Sequence, residues 1–280
     1  MHALNRLRII PATDAWAKIL LKVVLPVNII VKSDTMAGKK ELKYIQSLGQ
    51  KKHRDAEGLF IAEGPKLLAE LIQEIPEQID HVYALTEWTS AQQGKVYPFP
   101  VTDITEEELE RISQLSTPNQ VLAVLRKPEE KPMVRLKGEL ILLLDAVQDP
   151  GNLGTIIRIA DWFGVSQVVC SRECADCFSP KVVQSTMGSI ARVQLHYVDL
   201  PEWLQAQPDV KIYAAALDGQ DIREVPKPEE GIIVIGNESK GIRPEVLQMA
   251  DVKLMIPRIG QAESLNAAVA AGILMSYITT

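Results

Sequence analysis

Apolar residues recur along this chain in two rhythms. In GKKELKYIQSLGQKKHR (38–54), Leu42, Ile45 and Leu48 repeat at helical spacing among lysines, which predicts an amphipathic helix. LFIAEG (59–64) reads as a strand. The following residues, 65–75, read as a helix with Leu67, Leu68, Leu71 and Ile72 on its core face. HVYALTE (81–87) reads as a second strand, 102–113 as an acidic helix and 120–125 as a third strand. Together they predict a small α/β unit over 36–125. Residues 126–137, with Pro128, Pro132 and seven charged side chains, read as a linker.

Beyond it, short apolar runs at 140–144, 167–170, 193–196, 212–216, 232–235 and 252–256 alternate with helix-length segments. That alternation predicts an α/β fold over 138–280, a largely parallel sheet with helices on both faces. The last predicted helix, 265–278, is apolar nearly all round and must be buried on every side. It either packs on another subunit, giving a homodimer, or forms a central core helix.

The first 35 residues differ. The apolar stretch 15–31 carries Lys18, Lys22, Pro26 and Asn28, too polar for a membrane span. Arg6 and Arg8 precede it as in a signal peptide, but no small-x-small cleavage site follows. Organised pattern opens at Met36, which reads as the start of translation and leaves 1–35 as a non-native or disordered extension.

The balance of 46% hydrophobic and 24% charged residues in 280 excludes global disorder. A net charge of −6 gives no chain-wide cationic field, so nucleic acid must be gripped locally. Lys39, Lys40, Lys43, Lys51, Lys52 and Arg54 concentrate positive charge in this acidic chain, either as an RNA-binding face or as a solvated helix surface. Cys170, Cys174 and Cys177 are odd in number and clustered, so they cannot staple distant parts of a fold; this indicates a reducing, cytoplasmic protein. Their C-x₃-C-x₂-C spacing matches the iron–sulfur ligands of radical S-adenosylmethionine enzymes. However, Asp176 stands where those enzymes usually carry an aromatic residue, and only about 100 residues follow, too few for their barrel. His2, His53, His81 and His196 show no ligand spacing, so no metal is expected.

In a parallel sheet, ligands bind beyond the carboxyl ends of the strands. Three segments there are unusual: DAVQDPGNLGTIIRIA (145–160), IGNESKGI (235–242) and IPRIGQAESLNAAVAAGI (256–273). Each feature alone has a plain structural explanation. Asn152 and Ser264 can cap helices, Gly236 and Gly241 can make a turn, Glu238 can cap a helix near Pro244, and Arg158 can pair with Asp161 or Asp149.

Together the three segments resemble the motifs of the SpoU/TrmH family of the SPOUT superfamily, RNA ribose 2′-O-methyltransferases that use S-adenosylmethionine. The resemblance covers 140–278, about half the chain. Residues 36–125 are more loosely similar to the L30e-like RNA-binding domain that often precedes the catalytic one; the supporting residues are KKHR and the AEG of LFIAEGPKLLAEL. The resemblance implies a trefoil knot at the carboxyl end, a homodimer across it, and an RNA substrate, with ribosomal RNA favoured over transfer RNA. It assigns Arg158 as the catalytic arginine, with Asn152, Glu238, Ser264 and Asn266 beside it, and gives the cofactor to the backbone of Gly236, Ile256 and Leu265. Arg258 departs from the methionine that many relatives carry there.

The implied reaction is an in-line displacement by a ribose 2′-hydroxyl at the sulfonium methyl. Family descriptions make the arginine the general base, but a guanidinium rarely gives up its proton, so a bidentate clamp on the adjacent phosphate is the other reading of Arg158. Two rival functions stay open: a non-catalytic RNA-binding module, and a metal-cluster enzyme using Cys170, Cys174 and Cys177. A dinucleotide enzyme is disfavoured, because no G-x-G-x-x-G follows the first strand of the parallel sheet.

Overall fold

The computed structural model describes residues 38–129 and 137–280. The expectations for 1–35, the start at Met36 and most of the linker lie outside the described residues.

The lysine-rich pattern forms two helices rather than one, α1 (Lys39–Ser47) and α2 (Lys51–Glu57). The chain bends at 48–50, where Leu48 is driven fully into the core. β1 (Leu59–Glu63) and α3 (Pro65–Glu74) follow as the pattern requires. β2 (Ile79–Ala84) ends earlier than expected, because Thr86 already begins α4 (Thr86–Ala91), which buries Trp88. Residues 101–103 form a strand, β3 (Val101–Asp103), where the sequence reading began a helix. That helix, α5 (Glu106–Ile112), starts after Thr105, whose hydroxyl accepts from Glu108 N while the Glu108 carboxylate accepts from Thr105 N. Such reciprocal capping fixes a helix start more sharply than acidic composition does. β4 (Val121–Arg126) completes a sheet of order β1-β4-β2-β3, antiparallel except for β2 with β3.

The second unit contains β5 (Leu140–Leu144), α6 (Pro150–Trp162), β6 (Gln167–Ser171), α7 (Pro180–Thr186), β7 (Gln194–Val198) and α8 (Leu200–Gln205). It continues through β8 (Ile212–Asp221), β9 (Gly231–Ile235), α9 (Pro244–Leu247), β10 (Val252–Met255) and α10 (Ala267–Thr279). All neighbouring strands are parallel, in the order β10-β8-β9-β5-β6-β7. Leu153, Ile156 and Leu274 pack on one face of this sheet, and Leu200, Leu204 and Val246 on the other. β5 pairs with β6 on one side and β9 on the other, and Leu144 lies opposite Ile235. The carboxyl ends of β5 and β9 therefore sit together where the strand order reverses, the place where open α/β sheets hold ligands.

α10 is covered on one side only within the chain. Ala267, Ala268, Ala271, Leu274, Met275 and Ile278 are buried, whereas Val269 and Ile273 remain 51% and 37% exposed. Among the described residues, no helix is long and apolar enough to cross a membrane.

The two units share packing. Val183 of α7 lies in the same buried cluster as Phe60, Leu67 and Leu68, and the rings of Phe60 and Phe178 stand 4.9 Å apart. Arg192 reaches Glu70 and Glu74 of α3 as well as Asp161 of α6.

Candidate active site

The site is assembled by the loops leaving β5 and β9. Asp145 N donates to Ile235 O at 2.8 Å, which holds the two strand ends together. The fully buried Asp145 carboxylate accepts from Arg243 N at 2.8 Å and Arg243 Nε at 2.7 Å. Ala146 adopts φ 54°, unusual for a residue with a Cβ. Its backbone is held from both sides: its N–H donates to Ser171 Oγ and its carbonyl accepts from Asn237 Nδ2 at 2.8 Å. Strain held this way is typical of functional loops.

α6 is capped by Asp149, whose Oδ1 accepts from Asn152 N at 2.8 Å. Asn152 is therefore not the cap, and its side chain is free for another task. Its Nδ2 donates to Glu238 Oε1 at 2.5 Å, and its Oδ1 accepts from Asn266 Nδ2 at 2.8 Å. Asn266 in turn caps α10, its Oδ1 accepting from Ala268 N and Val269 N. The capping role considered for Ser264 thus belongs to Asn266, and Ser264 is exposed. The three segments meet through this one node, and its polarity is fixed. The Glu238 oxygen accepts from the Asn152 amide nitrogen, which leaves the Asn152 oxygen to accept from Asn266.

Gly236 explains why the loop after β9 needs glycine. A Cβ there would lie 2.3 Å from the Gly241 carbonyl carbon and 2.4 Å from Ile242 N. The turn is closed by reciprocal backbone hydrogen bonds between Asn237 and Gly241, and Asn237 Oδ1 accepts from Ser239 N and Lys240 N. On the facing segment Ile256 is half-buried and Leu265 is 44% exposed. Arg258 Nη1 donates to Ala262 O at 3.1 Å and so folds this segment on itself. Gly154, in the first segment, has a packing role: a Cβ there would lie 2.5 Å from Ser185 Cβ on α7.

Arg158 lies elsewhere on α6. Six residues turn a helix by about 240°, so its side chain leaves a different face from that of Asn152. Among the described contacts none joins Arg158 to the node. It is exposed and lines a cleft of about 670 Å³ with Lys66, Glu70, Trp162 and Arg192. The partners considered for it are engaged otherwise, Asp161 with Arg192 and Ser189, and Asp149 with Lys181.

Of the basic set, Lys39, Lys40, Lys43, Lys51 and Lys52 are exposed, with Lys51 paired to Asp55 at 3.0 Å. Arg54 is a correction. It is 2% exposed, donates to the carbonyls of Leu48 and Gly49, and pairs with Asp176 at 2.6 Å, so its guanidinium is not presented to a phosphate. Helical spacing did not reveal this, because the bend at 48–50 turns α2 and aims Arg54 inward.

Cys170, Cys174 and Cys177 are free and buried. Cys174 Sγ donates to Leu144 O at 3.3 Å, and burial pushes the Cys177 thiol up to about 12. Among the described residues, no group of His, Cys, Asp and Glu is arranged to hold a metal ion. The thiols pack beneath the loop that follows β5. Sequence reasoning missed Asp145, Asn237 and Arg243, which brace that loop; the available signal was an aspartate directly following an unbroken apolar strand.

Residues 139–276 match the SpoU rRNA Methylase family, and residues 39–123 match the MRM3-like substrate binding domain. The chain is 35% identical to the 23S rRNA (guanosine(2553)-2′-O)-methyltransferase RlmP of Bacillus subtilis, over 86% of this chain and 97% of that protein. Its fold is similar to that of a putative RNA methyltransferase of the TrmH family from Porphyromonas gingivalis (TM-score 0.77, 38% identity, covering 87% of this chain and 98% of the other). It is also similar to an AdoMet-bound rRNA methyltransferase from Sinorhizobium meliloti (TM-score 0.74, 31% identity, covering 89% and 96%). The chain belongs to the SpoU rRNA methylase family. It is an RNA 2′-O-methyltransferase that takes its methyl group from S-adenosylmethionine.

Proposed function

We propose that the enzyme methylates a ribose of ribosomal RNA, with Asn152, Arg158, Glu238, Ser264 and Asn266 as its active centre. The hydrogen-bonded node of Asn152, Glu238 and Asn266 carries this reading. It unites three segments far apart in the chain and has a single consistent polarity. A purely structural pair of helix caps has no need of Glu238.

The residues present fit the cofactor. Gly236 lets the loop after β9 fold closely on itself against Gly241 and Ile242, and Ile256 and Leu265 add apolar surface on the segment tied to the same asparagine. Bound S-adenosylmethionine supplies an electrophilic methyl group. The chain's residues supply position, because alignment is worth about 7–11 kcal/mol, whereas general-base assistance gives about 10²–10⁴-fold. The node holds the loops in register. Ser264, exposed two residues before Asn266, offers its hydroxyl to the substrate. Arg158 clamps the phosphate beside the target ribose with two parallel N–H donors, which fixes the 2′-hydroxyl without the guanidinium losing its proton; the hydroxyl proton passes to that phosphate or to a water.

The proposed assembly is a homodimer. The exposed apolar residues Leu265, Val269 and Ile273 support it, as does the separation of Arg158 from the node within one chain. The return of α10 to pack on α6 and β9, after β10 has joined the far edge of the sheet, supports a carboxyl-terminal knot. The first unit, 36–125, is read as an L30e-like substrate-binding domain whose five exposed lysines grip RNA, and 138–280 as the SPOUT catalytic domain; the cytoplasm is the proposed location. Incubation with labelled S-adenosylmethionine and unmodified ribosomal RNA tests the reading, and labelled transfer RNA with unlabelled ribosomal RNA contradicts it.

A further inference from the structure

We propose that Arg54 is a positioning residue for methyl transfer: held by Asp176, it sets the lysine-bearing helices α1 and α2 at a fixed place relative to the catalytic loops. The proposal rests on reading those lysines as the RNA grip.

The guanidinium works in two directions. Nη1 donates to Leu48 O at 2.9 Å and Gly49 O at 2.7 Å, which fixes the bend between α1 and α2. Nη2 donates to Asp176 Oδ2 at 2.6 Å, 122 positions along the chain and in the other unit. The two side chains are only 3% and 14% exposed, and Arg54 Nε has no hydrogen-bond partner. Burying a charge with one donor unmet is costly, and an apolar pair of similar volume would pack here at least as well. What the ion pair adds is a defined geometry.

Asp176 is itself fixed, and it leads toward the active centre. Its Oδ1 accepts from Phe178 N at 3.1 Å. Next to it, Ala175 N donates to Val147 O at 3.0 Å, and Cys174 Sγ reaches Leu144 O. Leu144 and Val147 flank the start of the segment that carries Asn152. A second set of contacts stiffens the same joint: Lys127 pairs with Asp55 of α2 at 2.6 Å, and its Nζ sits 5.2 Å from the centre of the Phe178 ring. RNA gripped on α1 and α2 is thereby presented at one distance from the node. A displacement of about 1 Å at a reacting centre can cost about 10²-fold in rate.

The test uses the full-length chain. Arg54→Met removes the ion pair at similar volume, Asp176→Asn keeps the shape without the charge, and Arg54→Lys restores a cation within reach of Asp176. On ribosomal RNA, Arg54→Met should lower kcat by about 10²-fold and Asp176→Asn by about tenfold, with affinities for RNA and S-adenosylmethionine within about threefold of wild type. Arg54→Lys should recover most of the kcat. Should Arg54→Met not fold, Asp176→Asn decides. Unchanged kcat in Asp176→Asn overturns the proposal, as does a loss confined to RNA affinity, which would return Arg54 to the phosphate grip. Failure of the underlying reading looks different: alanine at the five lysines would leave RNA affinity intact.

Discussion

Asn152 and Glu238 lie 86 positions apart in the chain, yet the amide of the first donates to the carboxylate of the second at 2.5 Å. The bond joins the loop after β5 to the loop after β9, and Asn266 extends it to the cap of α10. Asn152→Asp keeps the shape but replaces the donor with a second carboxylate facing Glu238. Turnover should fall by about 10²-fold or more while the protein stays folded. Asn266→Ala should have a similar effect, and near-normal turnover in that variant would remove Asn266 from the site.

Arg158→Lys distinguishes a clamp from a simple positive charge. Lysine keeps the charge and loses the planar fork. The expected result is a fall in kcat of about 10²-fold with unchanged S-adenosylmethionine binding by calorimetry. Appreciable activity would contradict bidentate contact.

Gly236→Ala places a methyl group against the Gly241 carbonyl and Ile242 N. Both neighbours are backbone and cannot swing aside, so the loop must open. Affinity for S-adenosylmethionine should drop at least about tenfold, measured by calorimetry, with a smaller effect on RNA binding.

Much of this architecture is legible in the sequence. The strand runs at 140–144, 167–170 and 232–235 were read within a residue or two, because strands buried on both faces leave unbroken apolar stretches. Two of the three candidate segments, 145–160 and 235–242, were legible for a related reason, since they sit where two of those stretches end. What escaped was tertiary. β3 is three residues long and carries too little pattern to register. Asn152 looked like a cap because a cap and an amide that bridges two loops use the same residue type, and only the neighbouring Asp149 settles which it is. Arg54 looked like one more surface cation until the bend at 48–50 turned it inward.

The lysine face predicts a salt dependence. If Lys39, Lys40, Lys43, Lys51 and Lys52 neutralise phosphates, the logarithm of RNA affinity should fall linearly with the logarithm of salt concentration. Each lysine replaced by alanine should reduce that slope by about 1. A slope that does not change in the quintuple variant would make the face a solvated one.

Asp161 predicts the acid limit of the joint between the units. Burial alone would raise its carboxyl, but hydrogen bonds from Arg192 and Ser189 outweigh this and hold it below the usual range. A carboxyl depressed on folding contributes stability that is present above its unfolded value of about 3.9 and is lost as pH falls through the folded value. The denaturant midpoint should therefore drop as pH falls below about 4, and Asp161→Asn should flatten that part of the profile.

The most direct measurement is the chemical position of the transferred methyl group. Unmodified ribosomal RNA, incubated with the protein and labelled S-adenosylmethionine and then hydrolysed in alkali, should retain the label in one uncleaved dinucleotide, because a 2′-O-methyl group blocks cleavage at that phosphate. Label released on mononucleotides would place the methyl on a base and contradict the account.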